Sequence, residues 1–212
     1  MRAELPVLTV ADAEGWARWL DEHDGQGDGI WLTLAKKGTT EPTRLTYEDA
    51  LAEAICHGWI DGQLAKGDAG TFRRKFTPRK PGSAWSKRNV ALAVTLTKEG
   101  RMRPTGLETV SRAKTDGTWH AAYQGQATIE VPQDLAAALA DDPAANAMFD
   151  RLSAANRFAV LYRVTTAKRA DTRRRRIEQF VAMLARGETI YPQRANRPAS
   201  SAHSTKREKG RT

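Results

Sequence analysis

Between Trp59 and Asn89 the chain sets three segments around two turns: Trp59-Ile60-Asp61-Gly62, Phe76-Thr77-Pro78-Arg79 and Ser83-Ala84-Trp85-Ser86-Lys87-Arg88-Asn89. Aromatic, acidic, basic and hydroxyl groups crowd together there. The mix is too polar for a core and too aromatic for an ordinary loop. Asp61 stands before a glycine, a position that projects a carboxylate into a turn. It is either a general base or amine ligand, or a turn carboxylate that accepts nearby N–H groups or pairs with Arg79. Arg79 follows a proline, and a guanidinium held at such a turn suits bidentate capture of carboxylate or phosphate. Trp85, Ser86 and Asn89 open a helix, whose free N–H groups and dipole favour an anion. Ser86 reads most simply as that helix's cap. As a nucleophile it would need a base. His57 is the nearest in sequence, and no Gly-x-Ser-x-Gly elbow surrounds the serine. Lys36 and Lys37 follow the strand that holds Trp31, and they approach Arg79 if the strands pair. The expected ligand-binding set is Lys36, Trp59, Asp61, Arg79, Trp85, Ser86 and Asn89, for a small anionic or peptide-like ligand. No catalytic residue can be named, so Asp61 as base leaves a small-molecule-modifying enzyme as an alternative.

Other reactive groups are scattered. Cys56 and His57 are adjacent on one helix and point about 100° apart, so they do not face one reacting atom. Cys56 reads as a small core residue. His23, His57, His120 and His203 show no metal-ligand spacing, and a lone cysteine completes no thiolate zinc site. Neither a Gly-x-Gly-x-x-Gly pattern nor a P-loop occurs. No metal and no cofactor is expected.

The elements that must position these residues are legible from periodicity. Asp12 caps a helix with Trp16, Trp19 and Leu20 on one face, broken by the run from Asp24 to Gly29. Ile30 to Ala35 is a strand. Thr46 caps a helix with Tyr47, Ala50, Leu51, Ala54 and Ile55 inside, stopped by Gly58. Trp59-Ile60-Asp61 is a short strand ended by Gly62. Phe72 to Thr77 alternates as another, which places Arg74 with Phe72 and Phe76 and sends Arg73 and Lys75 to solvent. Pro78 ends it or puts it on an edge. Ser83 or Ser86 starts a helix burying Val90, Ala93, Val94 and Leu96, and Pro104 starts one burying Leu107, Val110 and Ala113. The predicted class is α+β: a small antiparallel or mixed sheet with packed helices over residues 1–123. After a linker, an all-helical module spans residues 129–190, its last helix capped by Asp171 and burying Ile177, Phe180, Val181 and Leu184. Residues 191–212 read as a disordered basic tail.

With 212 residues, 40% hydrophobic and 28% charged, the chain has a globular composition. No run approaches the ~18 apolar residues of a membrane span, and no secretory signal follows Met1, so a cytoplasmic location is expected. Cys56 alone permits no internal disulfide. Net charge is +9; Arg194, Arg197, Lys206, Arg207, Lys209 and Arg211 against Glu208 put +5 in the tail and leave +4 for the body. The tail, with Arg173, Arg174, Arg175 and Arg176, is the basis for a nucleic-acid-associated alternative. Four cations at a helix start oppose the macrodipole, so either they pair with acids such as Asp171, Glu178, Asp141 and Asp142 or they face phosphate. No aromatic interleaves with them.

These residues together resemble the YdeI/OmpD-associated family, also called bacteriocin-protection or OmdA-type. The N-terminal matches are Trp16-x-x-Trp19-Leu20, Trp31-Leu32 with Lys36-Lys37, Tyr47-x-x-Ala50 and Cys56-His57-Gly58-Trp59-Ile60-Asp61-Gly62. Phe76-Thr77-Pro78-Arg79, Ser83-x-Trp85-Ser86-x-x-Asn89, Gly100-Arg101-Met102 and Gly106 follow. Val131-Pro132-x-Asp134-Leu135, Ala167-Lys168 and Thr172-Arg173-x-Arg175-Arg176-Ile177 complete the set. His57 departs from the apolar or aromatic residue the pattern carries, which argues against a shared catalytic role there. The resemblance implies protection against bacteriocins or antimicrobial stress and carries over no reaction, substrate or catalytic residue.

Overall fold

The computed structural model describes residues 4–23, 27–126 and 128–193. The expected tail from residue 194 onward lies outside them. The chain divides into two compact units, Met1–Thr128 and Ile129–Thr212.

In the first unit β1 (Val7–Leu8), α1 (Ala13–Glu22), β2 (Ile30–Ala35), α2 (Tyr47–Cys56), β3 (Trp59–Lys66), β4 (Thr71–Pro78), α3 (Lys87–Lys98) and α4 (Pro104–Thr115) follow in order. The sheet order is β1-β2-β4-β3, with β1 parallel to β2 and the other pairs antiparallel. This is the α+β class with a mixed sheet. The caps form as read: the side chains of Asp12, Thr46 and Ser86 accept from the backbone N–H three residues on.

Several details differ from the sequence reading. The two-residue β1 has too little pattern to be foreseen. β3 runs past Gly62 to Lys66, and the register slips between Asp61 and Leu64 to absorb the irregularity. β4 is a central strand, so Pro78 ends it rather than marking an edge; a ring with no N–H costs nothing at the last rung. Ser86, not Ser83, caps α3. Val94 and Leu107, expected inside, are exposed.

α2 is the middle layer. Ala50 and Ala54 pack with Trp16, Leu20, Leu32, Leu34, Trp59 and Phe76 over the sheet. Its other face, Leu51, Ile55 and Cys56, packs with Trp85, Ala93, Leu96, Val110 and Ala113 of the α3–α4 layer. Such burial on two faces needs small residues where backbones cross. Gly106 of α4 meets the end of α2 so closely that a Cβ there would lie 2.0 Å from the Cys56 carbonyl oxygen.

The second unit holds α5 (Gln133–Ala140), α6 (Pro143–Asp150), α7 (Ala154–Thr165) and α8 (Ala170–Ala185). Leu135, Leu139, Phe149, Val160, Leu161, Val164, Ile177 and Leu184 form its core. Arg169 stands at the α8 N-cap with no side-chain cap bond, and Asp171 lies in the first turn instead of capping. Residues 191–193, expected to begin the tail, are tied back. Buried Asn156 donates to the Tyr191 carbonyl and Gln193 Oε1, and its Oδ1 accepts from Tyr191 N–H.

Gly106→Ala drives a methyl into the Cys56 carbonyl and forces α4 off α2. A loss of about 1–3 kcal/mol is expected from such overpacking, measured by urea denaturation; an unchanged midpoint would show that the crossing relaxes freely.

Candidate functional site

Arg79 emerges from the last rung of β4 into the junction of the layers. Its backbone N–H donates to the Gly58 carbonyl at 2.9 Å, fixing it beside the α2–β3 turn. Its guanidinium carbon lies 3.6 Å from the ring centroid of Trp85, an indole that is itself edge-on to Trp119. Nη1 donates to the Ala84 carbonyl at 3.3 Å. Nε and Nη2, which share the opposite edge of the fork, have no hydrogen-bond partner among the described residues, although the side chain is only 6% exposed. Burial pulls the Arg79 pKa down to about 10, against partial support from Tyr123 and Asp61. Leaving buried donors unpaired costs about 1–3 kcal/mol each. The free edge is the one that matches two carboxylate oxygens.

A niche with room for a water-sized group, about 10 Å³, lies against Arg79. Arg112, Lys80, Ser83, Thr109 and Thr118 line it. Asp116 also lines it, but its oxygens accept from Thr118 N–H, Thr118 Oγ1 and Gly82 N–H. Arg112, on α4, donates to the Arg79 carbonyl over 3.4 Å and approaches Glu108 at 3.7 Å. Three cationic side chains and one carboxylate, already held by neighbouring donors, thus line the niche. Sequence reasoning missed Arg112, because only the packing of α4 on α2 brings it here.

The rest of the predicted set is distributed. Trp85 is the face on which Arg79 lies, and Ser86 caps the next helix. Asn89 is buried in the first turn of that helix, its N–H donating to Ser86 Oγ. Trp59 is buried in the sheet-facing core, stacked edge-on to Trp16 and Trp19. Asp61 does not pair with Arg79. It accepts from Tyr47 Oη at 2.8 Å and lies 3.6 Å from Arg74, because pairing opposite Phe76 puts it on the face Arg74 shares. Arg74 in turn covers the Tyr47 ring at 4.6 Å. Lys36 is remote. Its N–H bonds to Gly70 and its Nζ to Ala69, at the Thr71 end of β4. Arg79 follows the other end, roughly 25 Å away at the usual strand rise.

His57 is not placed as a base for Ser86. Its Nδ1 contacts the Glu53 carbonyl at 2.8 Å and its Nε2 the Asp21 carboxylate at 3.0 Å. Both ring nitrogens are therefore engaged with partners other than Ser86. Arg103 completes the Asp21 pair. Among the described residues no three His, Cys, Asp or Glu side chains gather as metal ligands, and no helix is long and apolar enough to cross a membrane.

The four arginines of α8 are largely engaged. Arg173 holds Asp134 through two nitrogens and donates to the Val164 carbonyl, Arg174 pairs with Asp171, and Arg176 donates to the Arg163 carbonyl. The Arg173 bonds keep the Asp134 carboxyl below its ordinary value.

Two family models match the chain. Residues 128–187, nearly all within the C-terminal unit, match the family described as Bacteriocin-protection, YdeI or OmpD-Associated (OmdA). Residues 8–109 match a model described as Domain of unknown function (DUF8412). The stretch from Trp59 to Asn89 therefore falls under the second model, although its motifs were read together with those of the C-terminal unit. No curated protein and no solved structure matches the chain.

The Tyr47–Asp61 bond has a titration signature. Burial first, then the Asp61 charge, pushes the Tyr47 phenol up to about 12. Because the folded value exceeds the unfolded one, its contribution to stability is whole below pH ~10 and is lost as pH rises toward the folded value. Phenolate absorbance on alkaline titration should include a component near pH 12 that Tyr47→Phe removes. A loss confined to pH 10 or lower would contradict the buried pair.

Proposed function

We propose that the N-terminal unit of this OmdA-domain chain binds a small carboxylate-bearing ligand, and that this binding underlies a bacteriocin-protection-associated role. The observation that supports the reading is the Nε–Nη2 edge of Arg79, buried and without a protein partner. A guanidinium kept for structure alone would be expected to spend both edges on carbonyls or carboxylates. This one is pinned by its backbone and by Trp85, and the fork is left pre-oriented for two oxygens. The niche has room for about one water-sized group, which favours a small planar carboxylate over a bulkier phosphate. Half-buried Arg112 and exposed Lys80 add positive potential at the niche, which strengthens the attraction.

Arg74 and Trp85 have different parts in this reading. Arg74 lies 3.6 Å from Asp61, and Tyr47 donates to it, so that carboxylate is engaged away from Arg79. Trp85 supplies a π-face that holds the guanidinium without consuming its donors.

Formate and acetate are the probes. A ligand at 100 times its Kd adds about 2.7 kcal/mol of stability, so saturating formate should raise the Tm of the wild type by several degrees. Arg79→Met should abolish that rise while leaving the unliganded Tm close to wild type, since it removes a buried, half-paired charge. Arg79→Lys keeps charge but not the fork, and should weaken binding at least tenfold. If Arg79→Met instead lowers the unliganded Tm sharply, and formate has no effect on the wild type, Arg79 is architecture and the reading fails.

A further inference from the structure

A second cavity lies on the other side of the turn after β4. It is an open cleft of about 770 Å³, with Trp19, Trp59, Ile60, His23, Lys75 and Lys80 among the residues that line it. Lys80 and Ser83 border both this cleft and the Arg79 niche. The volume falls within the range of small-molecule sites, ~300–1,000 Å³, and the lining mixes three kinds of chemistry. Of the lining rings, Trp19 and the exposed His23 stack at 4.0 Å, with fully buried Trp16 behind Trp19 at 5.3 Å and outside the lining. Trp59 keeps an indole N–H with no acceptor among the described residues. Lys75 and Lys80, from β4 and the turn after it, and Glu4 and Asp28, before β1 and β2, are also among the lining residues.

Charges of both signs in a cleft that also holds stacked rings suit a ligand that carries both signs and an aromatic group. We propose that this cleft binds a short zwitterionic peptide with an aromatic side chain. Its ring packs on the Trp19–His23 column, its carboxylate meets Lys75 and Lys80, and its amino group meets Glu4 and Asp28. The cleft does not include Arg79, although it shares Lys80 and Ser83 with the niche, and the inference goes beyond the reading of the niche. Lys75, expected at a solvated strand face, is on this account a carboxylate contact.

Calorimetric titration of the full chain with phenylalanyl-alanine, its N-acetylated form, its C-amidated form and alanyl-alanine tests the assignment. The free aromatic dipeptide should bind at least tenfold tighter than each of the other three. Lys75→Glu should erase the advantage over the amide, Asp28→Asn should reduce the advantage over the acetylated form, and His23→Ala should reduce the advantage over alanyl-alanine. Circular dichroism and Tm of each variant establish that it is folded. Equal affinity for all four probes, no measurable binding of the free dipeptide, or folded variants that bind as the wild type does would each overturn the proposal.

Discussion

The stacking of Arg79 on Trp85 is the contact on which the geometry of the candidate site turns. Arg79 belongs to the sheet layer by its backbone, through its bond to Gly58, and to the outer helical layer by its side chain, through Trp85. Between those layers lies α2, buried on both faces. A lysine would reach the same place with a point charge, but it has no planar face to lie on the indole and no second edge to present. The geometry therefore uses properties specific to arginine. It joins two layers with one edge and one face, and leaves the other edge uncommitted.

Burying a cation in this way is costly, and the surroundings show how the cost is limited. The guanidinium is not isolated: an aromatic face, one carbonyl and the field of Asp61 oppose desolvation. Asp61 itself is held by Tyr47 and Arg74, which keeps it from collapsing onto Arg79. Close backbone approach at Gly106 brings α4 down, and with it Arg112, to the niche. The pattern resembles a functional site held by its second layer of contacts: groups that touch no ligand decide which donors remain free.

Much of the local structure could be read from the chain. Asp12, Thr46 and Ser86 announce helix starts because a short oxygen side chain before an apolar stripe has few other uses. Arg74 could be placed with Phe72 and Phe76 because strand alternation is strict. What failed was pairing. Lys36 looked close to Arg79 only if β2 and β4 ran in the register that brings their ends together; antiparallel pairing of Ile30 with Phe76 sends Lys36 to the opposite end of the sheet. For Asp61 a pair with Arg79 was one of several open readings, and cross-strand register instead puts it beside Arg74. Arg112 and Tyr47 carried no local signal beyond helix membership, since their neighbours are set by how α4 and α2 pack. In the helical unit the Arg173–Arg176 run looked like a charged face, but Arg173 and Arg176 reach carbonyls whose exposure depends on where α7 ends.

The central claim, that Arg79 holds a buried fork with one edge reserved for a carboxylate, is tested most directly by side-chain ¹⁵N–¹H NMR of the arginines. The account predicts a resolved Arg79 Nε–H signal, protected from exchange, that moves on addition of formate and is absent in Arg79→Lys. An Arg79 Nε–H that exchanges as fast as a surface arginine, or that is protected but indifferent to formate at concentrations well above those that shift other residues, would contradict it.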